Sequence, residues 1–538
     1  MKKFTKFAVL AMALFFVFVS VGCKRGSLEG ENVLEVYVWN AGYGAEWMEE
    51  LLAEFETLDW VKEKYPDLQT EFNTNDEQTY AAGLIPAEGR NTVDLFFASD
   101  LRYFAGTEYV IDLTDVLYNS EVPGEGVLYK DKMIPAMYQA LAYYPDPFSQ
   151  EFRHYTTSYS NGMIGLCYNQ TLFEGLGLKV PNTTEELFAL CEKIKNMEGQ
   201  NFLYPKTETI IASKVSYIDR LFPVWWAQYE GSDGYRDFYH GIDEEGIANS
   251  VNVFDQQGLI ESAEVYDRLF SESSGYFDRS SMTYEFMAGQ SRLLTGEGLI
   301  MCNGEWFSYE MHDLAQGFIE KGYDYTIGMM RPPVVSSIID QTPTIKNDAA
   351  LSAVIDDIDA GKTSPTDTSV SQKDFDRVKQ ARNIIAAPDA INATGAIPSY
   401  ALGKEIAVDF LRFMATDRAN EIYAMNTGGG LLPFEFELKT NAPDTYNRLM
   451  SESKNTFMIQ SQVSDYLHAD GTDLLYYGNA PLATYGLTPL LAKYAAIDQA
   501  FMSDDSLTAE KVIGDTKAYW TDNNNKAWQN LLMKAGLN

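Results

Sequence analysis

Aromatic rings set beside carboxylates, amides and hydroxyls recur along this chain. Trp39, Asn40 and Tyr43 lie close together, and Asn75-Asp76, Ser99-Asp100 and Tyr159-Ser160-Asn161 follow. Further on come the tandem Trp225-Trp226, then Asn303-Gly304-Glu305-Trp306, Arg331 and the run Gly428-Gly429-Gly430. A flat indole matches the apolar face of a cyclic polyol, and Asp, Asn and Glu bond to neutral hydroxyls. An anionic ligand would call instead for clustered Arg or Lys, and only Arg102 and Arg331 stand near these positions. We therefore take Trp39, Asp100, Trp306 and Trp226 as the leading ligand-binding candidates. Tyr43, Asn75, Asp76, Tyr159, Asn161, Arg331 and Gly429 stand behind them. One of the paired tryptophans is expected in the core and the other as a stacking platform.

Catalytic patterns are missing. The sequence has no Gly-x-Ser-x-Gly elbow and no His-Glu-x-x-His helix, and Gly428–Gly430 lacks the lysine and serine of a phosphate loop. The doublets Asp356-Asp357 and Glu244-Glu245 could be offered as a hydrolytic pair, but a chain with 77 acidic residues has such doublets by composition. Asp522-Asn523-Asn524-Asn525 lacks the glycine and terminal glutamate of a calcium loop and reads as a solvated turn. No catalytic residue, metal or cofactor is expected.

Alternating strands and helices must position these side chains. Val33–Trp39 reads as a strand, Asn40–Gly44 as a turn, and Glu46–Phe55 as a helix with Trp47, Met48, Leu51, Leu52 and Phe55 on one face. Leu68–Phe72 and Val93–Phe97 are strand candidates that end in polar residues, the rhythm of an open α/β sheet whose ligands lie beyond the carboxyl ends of its strands. A second unit opens near Tyr155, with a strand at Met163–Tyr168 and a helix started by Thr183 and Glu186 at capping-box spacing. Leu299–Cys302 and Tyr325–Met330 are further strands, Ile397–Ala401 is a short one, and Gly403–Ala415 is amphipathic. Ser336–Lys373, rich in Asp, Thr and Ser, reads as a surface excursion containing a short helix.

The 538 residues carry 77 Asp and Glu against 41 Lys and Arg, a net charge of -36, with 46% hydrophobic residues. Such a chain is too apolar for acidic disorder, long enough for two or more cores, and repels phosphate backbones, so nucleic acid is excluded as a partner. At the start, Lys2, Lys3 and Lys6 precede an apolar run, Phe7–Val21, too short for a comfortable membrane span. Ser20-Val21-Gly22-Cys23 then resembles the bacterial lipoprotein signal, with Ser20 in place of the usual leucine. This implies a signal peptide over 1–22, Cys23 lipidated (a palmitate-type anchor at the cell membrane) and a tether over 23–30. Cys167, Cys191 and Cys302, an odd number in apolar segments, read as buried thiols.

Taken in order, several segments resemble the extracellular solute-binding proteins of ABC importers, in the family of maltose-binding protein. They are the opening strand with Trp39, Val93-Asp94-Leu95-Phe96, Gly165-Leu166-Cys167-Tyr168-Asn169 and Val180-Pro181-Asn182-Thr183-Thr184-Glu185-Glu186-Leu187. Gly304-Glu305-Trp306, Ala407–Thr416 and Gly430-Leu431-Leu432-Pro433 complete the set. The resemblance implies an α/β, two-lobed periplasmic-binding-protein fold of type II, its lobes joined by crossing hinge segments. It places one lobe at 31–145 and 297–395 and the other at 146–296 and 396–538, with Trp306 and Gly428–Leu431 bordering the cleft. The implied role is capture of a neutral sugar, an oligosaccharide by preference, for delivery to the permease subunits of an ABC transporter. A monomer suffices for that role. The competing readings are an extracellular glycan-active enzyme and a cell-surface glycan-binding protein without transport.

Overall fold

The computed structural model describes residues 32–538 except 90, 100, 146–150, 198–207, 211–216, 278–282, 323, 387–392, 461–464, 468–496, 523, 525, 535, 536 and 538. Asp100 and Cys23 thus lie outside the described residues.

Eleven strands among these residues form two sheets. In the first, β1 (Val33–Trp39) pairs in parallel with β2 (Gln69–Asn75) and β3 (Leu95–Ala98). Against β3 runs the antiparallel β10 (Thr394–Ala396), which pairs in turn with β4 (Thr157–Ser158), giving the order β2-β1-β3-β10-β4. The second sheet contains β5 (Ile164–Asn169), β6 (Glu208–Ile210), β7 (Gly298–Gly304), β8 (Ile327–Met330), β9 (Ile384–Ala386) and β11 (Asp465–Leu467). Its order is β11-β9-β5-β7-β6, with β8 also on β5.

Both sheets are covered on two faces, which is why β1, β5 and β7 are nearly continuous apolar runs. Leu34, Val36 and Val38 of β1 pack with the helix Glu46–Thr57 through Trp47, Met48 and Phe55, while Tyr37 faces a smaller cluster with Phe96 and Ile85. In the second sheet, Ile164 and Leu166 face the large core, and Cys167 faces Met301, Met329 and Ile459 on the other side. All three described cysteines are buried free thiols. Of the expected capping box, Thr183 Oγ1 accepts from Glu186 N at 3.1 Å, while Glu186 accepts from Asn182 N, one residue before the cap, at 2.7 Å.

Three expectations change. The strands drawn from 297–395 lie mostly in the second sheet rather than with the first lobe, and the helices Lys404–Met414 and Asp417–Asn426 pack on the first. Alternation alone shows which segments are strands, not which sheet receives them. The stretch 336–373 is no surface excursion: Ile338, Leu351, Val354 and Ile355 are buried in the large core, and the helices Asp348–Asp359 and Gln372–Arg382 dock there. The aromatic stretch after Pro205 contains a helix, Leu221–His240, interrupted only where Gly231 takes φ 80°.

Registry fixes where a site can be. β1, β2 and β3 run toward Trp39, Asn75 and Ala98, and the chain leaves this sheet through β4 at the same end, since both Ala98 and Ser158 pair with Thr394. It enters the second sheet at Ile164, beside Gly304 and Ala386, with Met330 two residues on at Leu166. The carboxyl ends of β7, β8 and β9 therefore gather at the crossing, facing those of β1, β2 and β3.

Candidate functional site: two rims meeting at the crossing

On the first rim, Trp39 is half-buried and its indole Nε1 donates to the Asp76 carbonyl at 3.3 Å. Asn40 Nδ2 donates to Asp76 Oδ1 at 2.7 Å, and Asn75 Oδ1 accepts from Glu77 N at 2.7 Å, so the three expected residues Trp39, Asn75 and Asp76 share one polar lip. Gln78 Nε2 donates to Ser99 Oγ at 2.9 Å and extends that lip to the end of β3. Two further rings stand there: Tyr80, missed by the sequence reading and stacked on Tyr37 with centroids 5.8 Å apart, and Tyr103, 80% exposed.

The second rim follows β7. Glu305 is buried, accepts from the Tyr43 hydroxyl across the lobes, and receives Met163 N at 3.3 Å and Gln460 Nε2 at 3.1 Å. Trp306 packs edge-on against Tyr217 at 5.2 Å, and a Cβ at Gly42 would lie 3.6 Å from its own Cβ. Tyr309 donates to Glu46 Oε2 at 2.7 Å, a bond that lowers the Glu46 carboxyl below its usual range. Tyr43–Glu305 and Tyr309–Glu46 are thus two hydrogen bonds between the lobes, with Trp306 lying in sequence between the acceptor Glu305 and the donor Tyr309 and in contact with the Gly42 turn.

The glycine run belongs to the same junction. Gly429 has φ 121°, and a Cβ there would come 2.7 Å from Ser453 Cβ; a Cβ on Gly430 would come 2.9 Å from Tyr43 Cε1. Ser453 Oγ donates to Gly428 O at 2.8 Å. Gly429 therefore permits close packing of the helix Ser451–Gln460 rather than offering backbone to a ligand. Beneath it Glu452 is buried and accepts from Ser308; burial pushes its carboxyl up to about 7.

Other candidates are placed elsewhere. Trp226 is fully buried, its Nε1 donating to Gln256 Oε1 at 2.8 Å and its ring meeting Tyr235 and Phe238 edge-on, so it is core. Trp225 is equally buried and donates to Pro333 O at 3.0 Å; the pair shares the core instead of dividing its roles. Tyr159 stacks on Trp47 at 5.6 Å and meets Phe97 at 5.2 Å inside the first core. Arg331 is buried 3.4 Å from Asp359, which also binds Arg382; burial and the Arg382 charge lower its pKa to about 10. It serves the packing of the helix Asp348–Asp359, not the rim. Asn161 is buried in the crossing, its N donating to Leu431 O at 2.8 Å.

Glu305, Tyr309 and Glu46 were not singled out from sequence. Glu305 was readable as the residue just past a buried strand, but only the fold puts Tyr43 opposite it. Among the described residues no group of three or more His, Cys, Asp or Glu is arranged to hold a metal, and no helix is long and apolar enough to cross a membrane.

This two-sheet α/β architecture with crossing connections is that of the solute-binding proteins associated with ABC transporters. The structure resembles that of a probable secreted solute-binding lipoprotein from Streptomyces coelicolor, with TM-score 0.52 and 14% identity, over 92% of this chain and 100% of that one. It is similar to a chitin oligosaccharide binding protein, with TM-score 0.53 and 13% identity over 93% and 100% of the two chains. It is also similar to the solute-binding protein RafE in complex with raffinose, with TM-score 0.52 and 14% identity over 91% and 98%. No family model matches the chain, and no curated protein matches it.

Proposed function

We propose that this protein is an extracytoplasmic receptor that captures a neutral sugar, an oligosaccharide by preference, between its two lobes and presents it to the permease of an ABC importer. The observation that carries the reading is the meeting of two strand-end rims at a crossing, bonded to each other through Tyr43–Glu305 and Tyr309–Glu46. Rims that bond across a hinge are suited to closing over a solute, and a permease can read that closure. Trp39, Tyr80 and Tyr103 supply ring faces, while Asn40, Asp76 and Gln78 supply neutral or acceptor groups. Likeness to proteins whose bound ligands are sugars supports the same solute class here.

The strand order β2-β1-β3-β10-β4 supports the type II arrangement. On this reading one lobe comprises about 32–158 and 394–449, and the other about 164–386 and 451 onward, bounds taken from the strands and cores. Cys23 would hold the receptor at the membrane by lipid.

Calorimetric titration of the chain after Cys23 against oligosaccharides and their monosaccharides tests the proposal. Saturable one-to-one binding, with the sugar recovered intact, is expected. Cleavage of the sugar would replace receptor by enzyme, and silence across the panel from a folded sample would refute a sugar ligand.

A further inference from the structure

The helix Ser451–Gln460 stands at the joint between the two sheets. On one side Asn455 Oδ1 accepts from Met329 N of β8 at 3.2 Å, and Ile459 shares a cluster with Met329 and Cys167. On the other, Phe457 lies against the small cluster of Ala424, Leu438 and Ala442, and Ser453 Oγ donates to Gly428 O at 2.8 Å. That last bond ties the helix to the glycine run. Gly430 of the run closely approaches the ring of Tyr43, whose hydroxyl bonds Glu305.

The Ser453 hydroxyl has one proton and three acceptors within reach: Gly428 O at 2.8 Å, Ser308 Oγ at 3.2 Å and Glu452 Oε2 at 3.4 Å. Which of them it serves depends on Glu452. That carboxyl is fully buried, bonded by Ser308 and by Thr456 Oγ1 at 3.4 Å, and among the described residues no lysine, arginine or histidine pairs with it. A buried carboxylate without a cation is costly, which favours the neutral acid. Two helix N-termini act the other way, since Glu452 lies in the first turn of its own helix and Ser308 in the first turn of the helix Phe307–Glu320. Burial outweighs the hydroxyl donors and leaves the carboxyl raised to about 7.

Few other charges face it. Cys167 of β5 is the neighbouring titratable group, and burial together with the Glu452 carboxyl pushes its thiol up, so it stays protonated. β8, Ile327–Met330, and the glycine run carry no titratable side chain. On the helix Phe307–Glu320, Tyr309 bonds Glu46, Glu310 accepts from Gln290 at 2.8 Å, and His312 is exposed. Lys454 donates to Asn447 O at 3.1 Å.

We infer that Glu452 and Ser453 form a proton-operated clasp at the joint: a neutral Glu452 leaves the Ser453 hydroxyl on Gly428 O, and an ionised Glu452 draws it away and releases the glycine run. A hydrogen bond to an anion is roughly twice as strong as one to a neutral oxygen, which decides the choice once the proton has gone. The tie is therefore present at acidic pH and lost as pH rises through about 7. The inference concerns the joint and stands whatever solute the rims take.

Hydrogen exchange of the chain after Cys23, followed by mass spectrometry at about pH 5.5 and about pH 8.5 and corrected for the intrinsic pH dependence of exchange, tests the clasp. Thr427 N and Gly429 N, bonded to Tyr423 O at 3.0 Å and Ala424 O at 2.9 Å, are the reporters. Their protection is expected to fall roughly fivefold or more at the higher pH, while that of β1 falls less. Glu452→Gln should keep the high protection at both pH values and Ser453→Ala the low one, so each removes the pH dependence. Urea unfolding checks the folding of both variants, and the parent's comparison with β1 decides by itself if one does not fold. Unchanged protection in the parent, an equal fall in β1, or a pH dependence that survives in either folded variant would overturn the clasp.

Discussion

Gly304→Ala isolates the packing of Trp306. Gly304 closes β7 with a backbone that any residue can adopt, so alanine meets no conformational penalty there. Its Cβ would nevertheless overlap Cζ3 and Cη2 of the Trp306 indole and lie 2.5 Å from Cε3, a distance real Cβ atoms do not show. The obstacle is a rigid ring wedged against Tyr217 and the Gly42 turn, so it cannot yield by a few tenths of an ångström. Full expulsion of an indole that buries 150–250 Å² would cost roughly 4–6 kcal/mol at about 25 cal/mol/Å². Overpacking relieved by small shifts costs about 1–3 kcal/mol. A loss of about 2–4 kcal/mol is therefore expected in urea unfolding, with sugar affinity falling as the ring leaves its place between the rims. In a Trp306→Ala background the same glycine change should be nearly neutral, within about 0.5 kcal/mol, because the clash partner is gone. An unaffected single variant, or an equal loss in both backgrounds, would refute the reasoning.

Three other outcomes follow from the structure. Glu452 is buried with its carboxyl raised to about 7, so between about 4.5 and 7 the unfolded chain gives up this proton first and the fold loses stability as pH rises. Glu452→Gln should remove a loss on the order of 3 kcal/mol when urea unfolding at pH 5 and pH 8 is compared with the parent chain; identical pH dependence would contradict this. His154 lies between Tyr118 and Tyr138, centroids 4.1 and 4.6 Å away, and burial lowers its pKa to about 4. Its imidazole resonance should stay in the neutral position down to about pH 5, and this group should cost stability as pH falls from about 6.5 toward 4; a midpoint near 6.5 would disprove the burial argument. Trp39→Ala should weaken sugar binding by about 1–3 kcal/mol while the protein stays folded, whereas Trp226→Ala should cost about 3–5 kcal/mol of stability; calorimetry and urea unfolding on both variants would expose a reversal.

Legibility from sequence followed the range of the interactions involved. The helix Glu46–Thr57 and the Thr183 cap depend on residues a few positions apart, and both were readable within a residue or two. The end of the first strand at Trp39 was readable, whereas the second, expected to stop at Phe72, runs on through the polar residues to Asn75 because pairing with the first strand carries it there. Trp226 and Tyr159 were misplaced because a buried aromatic and a rim aromatic have the same local signature; only the partners Gln256 and Trp47, far along the chain, decide between them. The membership of β7 and β8 in the second sheet was unreadable for the same reason, since nothing near Gly298 or Ile327 specifies β5 as the neighbour. Gly429 was visible as a turn, but its purpose lies in Ser453, on another helix.

The position of β10 governs when the first sheet can exist. Thr394–Ala396 sits between β3 and β4, so β3 lacks its second neighbour until nearly four hundred residues have been made. Gly403 N, which bonds Asp94 Oδ1 at 2.7 Å, and the helix Lys404–Met414 arrive later still. Contacts of such long sequence separation form slowly, because loop closure precedes any gain from pairing. Until then the pairing of β2, β1 and β3 leaves the outer edge of β3 open. A chain that must thread a narrow channel before folding is helped by this delay, and one that lingers in water is exposed to edge-to-edge association.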